Sequence, residues 1–234
     1  MLMHNWRLEL FSELDAAQNM HAVLEAALKA VRPFGFEHCG WRALVPQSVR
    51  HRYEMLHTAK DRFVRKEQEG RYDEAPVPQH CSRSQTPISW QGNSEDPLFL
   101  KAPSLWEEYY ECGHYGGWAQ SLLSSEGHFS MLYMDSPYVL SPRDLQHSDT
   151  NLRWVTAAVL CRMDDVKKSS QVQLSLAERD ALRWVRDGLN DVQTAERMTL
   201  STYFVRLHLQ SAMVKLQTTS RKAAIAKAMF LGLL

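Results

Sequence analysis

Residues 192–216 read VQTAERMTLSTYFVRLHLQSAMVKL, and the spacing of apolar side chains in this stretch decides how the C-terminal end of the chain is built. Val205, Leu209, Ala212 and Leu216 recur at helical intervals and predict one buried face on a helix over residues 202–216. A shorter helix over 192–198 precedes it, with 199–201 as the turn. Two helices joined this closely have helix-turn-helix proportions. Helices over 178–186, stopped before Gly188, and over 223–231 complete an all-helical segment.

The outward positions of the second helix carry Tyr203, Arg206, Gln210 and Lys215. Arg suits the guanine edge in a major groove, Gln suits adenine, and cations neutralise phosphates. Arg197 before the turn and Thr202 at the helix start complete the candidate DNA-binding set. The plainer alternative is a basic, solvated helix. Charge distribution favours a polyanion: the chain has 27 basic and 27 acidic residues, yet six basic and no acidic side chains lie from Arg197 onward.

Working back toward the N-terminus, the pattern changes. Residues 5–31 read as one or two helices interrupted at Asn19, ended by Pro33 and Gly35. Residues 36–45 predict a strand, 50–56 a second strand beside it, 61–69 a helix, and 70–87 a loop with short helical turns. A short strand at 88–90, a helix at 103–112 and two strands at 117–124 and 128–135, turning around 125–127, follow. Ser141-Pro142 starts a helix running to about residue 166. The order predicts an α+β domain over 1–166, an α-β-α sandwich around an antiparallel sheet. A polar linker, 167–175, joins it to the all-α helix-turn-helix domain over 176–234.

These residues resemble the LuxR-type quorum-sensing transcription regulators. At the C-terminal end Leu174, Glu178, Leu182, Trp184, Gly188, Ala195, Val205, His208, Lys215-Leu216, Ala223 and Gly232-Leu233 fall on that family's spacing. In the N-terminal domain Phe34-Gly35-Phe36, Thr86-Pro87, Trp90, Trp106, Gly113, Gly117-Trp118 and Phe129-Ser130 follow the order of its autoinducer-binding domain. The resemblance implies a cytoplasmic, DNA-binding dimer whose N-terminal domain encloses an acyl-homoserine lactone and forms the dimer. Two recognition helices would then sit about one DNA turn apart on a partly palindromic site.

The departures are as informative as the matches. Where the family carries Tyr, Trp, Tyr and Asp-Pro around the lactone, this chain has Ala59, Phe63, Glu67 and Ala75-Pro76. Trp90, Pro76 and Ser130 survive. In the family the Trp and Asp hold the lactone carbonyl and amide. Each buried polar partner lost costs about 1–3 kcal/mol, so an ordinary acyl-homoserine lactone is expected to bind poorly unless Glu67 or Glu74 turns in. Phe63 reads as core packing and Glu67 as part of a solvated helix face. Trp90 and Trp118 either line a cavity or fill one. In the DNA-binding half the usual Glu-Ile-Ala is Gln193-Thr194-Ala195 and the usual Thr-Val is Phe204-Val205, which predicts a weakened helix-helix tie and a lost phosphate contact.

Three function classes follow: a DNA-binding regulator acting without an ordinary lactone, an anti-activator forming inactive heterodimers with other LuxR-type regulators, and a sensor of a different small molecule with Phe63, Trp90 and Trp118 as walls. Ten histidines and four scattered cysteines show no metal-ligand or redox spacing, and no nucleotide or nucleophile motif is present, so no cofactor, metal or catalytic residue is implied. His114 and His128, beside the two hairpin strands, read as surface or core. No run approaches the eighteen or so apolar residues of a membrane span, and residues 1–32 lack a signal-peptide core, so no membrane partner is expected.

Overall fold

The computed structural model describes residues 6–46, 51–123, 129–169 and 172–234, and the chain divides into two compact units, Met1–Lys168 and Ser169–Leu234. In the first unit the opening helical pattern is two helices, α1 (Trp6–Ala16) and α2 (Met20–Val31). Asn19, the interrupting residue, caps α2 by accepting the Ala22 N–H. β1 (His38–Pro46) and β2 (His51–His57) pair antiparallel. α3 (Arg62–Gln68) is capped by Asp61, whose side chain accepts the Val64 N–H.

The expected loop over 70–87 contains a helix, α4 (Pro76–Arg83), because Pro76 fits a first helical turn that needs no N–H there. β3 (Ile88–Trp90) is followed by α5 (Pro97–Lys101), which the sequence reading missed, and α6 (Pro103–Glu111). β4 (Gly117–Leu123) and β5 (Phe129–Asp135) form the hairpin; its turn, including His128, lies outside the described residues. α7 (Pro142–Ser169) starts with Ser141 Oγ accepting the Asp144 N–H at 3.1 Å. It runs past the expected end, so Lys167 and Lys168 are helical rather than linker.

The five strands form one antiparallel sheet in the order β2-β1-β5-β4-β3. Alternate side chains serve two cores. One face sends Trp41, Trp118, Leu132 and Met134 into a cluster with α1, α2 and α7. The other sends Ala119 and Met131 toward Cys81, Trp90, Phe99, Trp106 and Tyr109. α7 is tied to the end of α1 by Arg162, which donates from Nε to the Leu14 carbonyl (2.8 Å) and from Nη2 to that of Ala17 (2.7 Å). Two strand glycines admit large rings: a Cβ on Gly40 would fall 2.0 Å from the Tyr133 ring, and one on Gly117 2.0 Å from Trp90.

The second unit is all-helical: α8 (Leu176–Arg186), α9 (Asp191–Met198), α10 (Thr202–Lys215) and α11 (Arg221–Phe230). Leu182, Ala195, Val205, Leu209, Ala212, Leu216 and Ala224 form its core, joined by Leu174 from the expected linker. Ser175 and Glu178 close a capping box on α8. The same Glu178 carboxylate, almost fully buried, accepts from Ser211 Oγ (2.7 Å) and Lys215 Nζ (2.8 Å) on α10. Burial raises its pKa, but Lys215, Ser211 and the Ser175 N–H outweigh that and bring it to about 2. A carboxylate whose folded pKa lies below its unfolded value of 4.5 stabilises the fold above that value and loses the contribution as pH falls toward 2.

Glu178→Ala is therefore expected to destabilise the C-terminal unit by about 2 kcal/mol at neutral pH, the scale of hydrogen bonds to a charged group. Chemical denaturation of wild type and variant at pH 7 and pH 3 measures it. The difference is expected to narrow at pH 3.

Candidate functional site

The sheet face toward α3–α6 buries charges. Arg42 on β1 is fully buried and donates from Nη2 to the Asp73 carboxylate. Its Nη1 stands 3.7 Å from Glu67 Oε1, and its guanidinium lies 3.6 Å from the centre of the Tyr53 ring. A guanidinium taken out of water costs several kcal/mol unless paired, so these partners are what allow Arg42 to sit under the sheet. Glu67 accepts from the Tyr133 hydroxyl (2.9 Å), which also lies 2.7 Å from His57 Nδ1. Burial pushes the Glu67 carboxyl up to about 7 although Arg42 pulls it down. Burial likewise lowers His57 to about 4, so between those values both groups are mostly neutral.

A second polar chain crosses the same space. The Tyr109 hydroxyl donates to Asp135, and His114 stacks on the Tyr109 ring with centroids 5.0 Å apart. His114 Nε2 is 2.7 Å from Asp61 Oδ2. Burial raises the Asp135 carboxyl. Asp61 goes the other way: burial raises it, but the Val64 N–H and His114 more than compensate. Between the two chains a cavity of about 60 Å³ remains, well below the roughly 300–1,000 Å³ of small-molecule sites.

Ala59, Phe63, Glu67, Ala75 and Trp90 all line this cavity. Phe63 stacks on Tyr72, ring centres 4.6 Å apart and planes 13° from parallel, while the Tyr72 hydroxyl donates to Glu108. The solvated face expected for Glu67 is corrected: the residue is 6% exposed and points at the sheet. Glu74 is exposed and accepts from Gln79 Nε2 instead. Trp118 and Ser130 are also corrections, because strand alternation puts both on the opposite face. Trp118 donates to Asp149 on α7 (3.0 Å), and Ser130 accepts from Trp41 Nε1 (2.8 Å). Arg42, His57, Tyr133 and Asp135 were missed. A signal existed only for Arg42, the one charge in the otherwise uncharged run of 39–45.

In the second unit α9, the turn and α10 present the candidate nucleic-acid interface. Gln193 completes a capping box with Asn190, accepting its N–H at 3.0 Å, so the replaced glutamate position still secures a helix start. Arg197 is exposed, its guanidinium 5.7 Å from the centre of Trp184. Thr202 is half-buried, and Tyr203 and Gln210 face solvent. Arg206 is exposed but paired, its Nε 2.7 Å from Asp191 Oδ2, and Arg221 joins the same carboxylate at 2.5 Å. Arg221 and then Arg206 hold Asp191 below its ordinary pKa. Lys215, its side chain 41% exposed, pairs with Glu178 at 2.8 Å where the end of α10 lies against α8. Among the described residues no cluster of three His, Cys, Asp or Glu suits a metal, and no helix is long and apolar enough to cross a membrane.

The cavity's titrating pair has opposed signs. Glu67, raised from 4.5 to about 7, costs stability increasingly as pH rises through that interval; His57, lowered from 6.5 to about 4, adds stability as pH rises through its own. Glu67→Gln removes only the first, so the stability of the variant relative to wild type is expected to rise between pH 4.5 and 8, by up to about 3 kcal/mol. Thermal or urea unfolding of both proteins at several pH values checks this, and a difference independent of pH would contradict it.

Residues 19–161 match the autoinducer binding domain family, and residues 172–228 match the luxR family of bacterial regulatory proteins. The chain is 28% identical to the transcriptional activator protein AnoR of Acinetobacter nosocomialis, covering 99% of this chain and all of that one. It is 24% identical to the transcriptional activator protein PhzR of Pseudomonas fluorescens, over 97% of this chain and 95% of that one. The fold is similar to that of Escherichia coli SdiA, with a TM-score of 0.75 at 17% identity and 97% of each chain covered. An SdiA complex with octanoyl-rac-glycerol gives 0.72 at 18% identity, over 97% of this chain and 94% of that one. These relatives are regulators rather than enzymes, and with both domains matched in order, the chain belongs to the LuxR family of quorum-sensing, DNA-binding transcription regulators.

Proposed function

We propose that this regulator folds, dimerises and binds DNA without an ordinary acyl-homoserine lactone, its N-terminal domain acting as a sensor-like dimerisation module and its C-terminal domain reading a partly palindromic site. The observation that carries the reading is the filled cavity. Phe63 on Tyr72, Glu67 on Tyr133, and Tyr109 on Asp135 occupy the space between sheet and helices. The remaining 60 Å³ is well below the roughly 300–1,000 Å³ of small-molecule sites, which supports a cavity closed to a lactone ring with an acyl tail. Ala59, Phe63 and Ala75 offer no side-chain hydrogen bond, and Glu67 is already engaged. Two missing partners at about 1 kcal/mol each already weaken binding more than tenfold.

On the DNA side, the capped α9 supports an intact helix-turn-helix, and Arg197, Thr202, Tyr203, Arg206, Gln210 and Lys215 are the proposed contacts. Gln193 secures the start of its own helix, while Phe204 stands exposed where a hydroxyl is usual, the feature that favours the inactive-heterodimer reading.

Native mass spectrometry on protein from a host lacking lactones is the test, with lactones of several chain lengths and octanoyl-glycerol, the ligand of the SdiA complex, as separate arms. The expected result is a soluble, ligand-free dimer that captures no lactone and shifts operator DNA equally with and without one. Stoichiometric lactone, or DNA binding that requires it, overturns the proposal; capture of octanoyl-glycerol alone would favour a sensor of a different small molecule.

A further inference from the structure

The outer face of α10 has an apolar centre. At 100° per residue, the buried Val205, Leu209, Ala212 and Leu216 define an inward direction, and Leu207 points about 170° away from it. Leu207 is 46% exposed, Tyr203 one turn before it 69%, and Val214 two turns after it 71%. Gln210 is the polar side chain beside them. Arg206 lies at the flank, about 90° from the inward direction, and is held there by Asp191, which Arg221 also grips. A leucine left about half exposed at the centre of this helix face is unfavourable in water. The stretch of chain after Glu196 that holds this helix also carries Arg197, Lys222 and Lys227 and no acidic residue.

A duplex supplies both features, since phosphates meet the cations and the thymine C5-methyl is the one apolar group on the major-groove edge of a base pair. We propose that Leu207 is a specificity-determining residue that packs on thymine methyl groups, with Gln210 beside it on adenine and Arg206 on the backbone. The operator half-site is then centred on A·T pairs rather than on guanine. This rests on the DNA-binding reading above and adds which base chemistry is read.

The experiment selects preferred duplexes for the full-length protein from a randomised pool, then replaces each thymine of the selected site by uracil, which removes only the methyl. Uracil at one or two central positions per half-site is expected to weaken binding about fourfold each, the factor for burying one methyl-sized group. Leu207→Ala, on an exposed position, is expected to leave the melting temperature unchanged and to erase the thymine-over-uracil preference, and Leu207→Met to retain it. Arg206→Ala is expected to weaken binding to all duplexes alike and to lower the salt slope by about one. Specific binding with thymine and uracil equivalent everywhere, or a preference that survives Leu207→Ala, overturns the assignment while leaving DNA binding intact. Absence of any sequence preference overturns the assignment and the operator reading together.

Discussion

Side chains alternate across a strand, and here one five-stranded sheet must bury both of its faces. The face against α1, α2 and α7 solves this with apolar packing around Trp41, Trp118 and Leu132. The face against α3–α6 carries Arg42, His57, Tyr133 and Asp135 on its odd-numbered or even-numbered register positions, wherever β1, β2 and β5 turn that way. Every polar group placed there needs a partner from the helices above, and that requirement fixes where the helices sit.

Arg42 makes the point most sharply. A buried cation is tolerated because Glu67 on α3 and Asp73 after it approach from one side and Tyr53 covers another. Glu67 is in turn shared with Tyr133 and His57, and Asp61 both caps α3 and holds His114. Side chains that would otherwise leave room for a guest are thus engaged with one another. Within so small a space the low dielectric strengthens these hydrogen bonds and makes any unpaired polar group costly.

The DNA-binding unit follows a similar economy of anchors. Glu178 joins the start of α8 to the end of α10, and Asp191 joins the start of α9 to α10 and α11. Of the six basic residues after Glu196, three are spent in these pairs: Arg206, Lys215 and Arg221. Their charge still contributes to the field around the domain, but their side chains are constrained, which leaves the centre of the outer face of α10 to Tyr203, Leu207 and Gln210.

The sequence alone was enough for the elements whose causes are local. Asn19, Asp61, Ser141 and Ser175 cap helices from within three residues, the core of α10 follows a 3.6-residue period, and the antiparallel pairs β1–β2 and β4–β5 join strands that are neighbours in the chain. The order of the whole sheet was not legible, because β1 pairs with β5 some 90 residues away. Leu207 was legible too, since the same periodicity that buries Leu209 turns Leu207 outward, but its apolar character invites a core reading. Only the tertiary structure decided the site. Glu67 is buried because Tyr133, 66 residues away, waits on the sheet; Lys215 is ion-paired because Glu178, 37 residues back, reaches it; and Trp118 leaves the cavity because Asp149 receives its indole on the other face. Burial and ion pairing depend on which distant segments the sheet and the helical core bring together, and no window of neighbouring residues contains both partners.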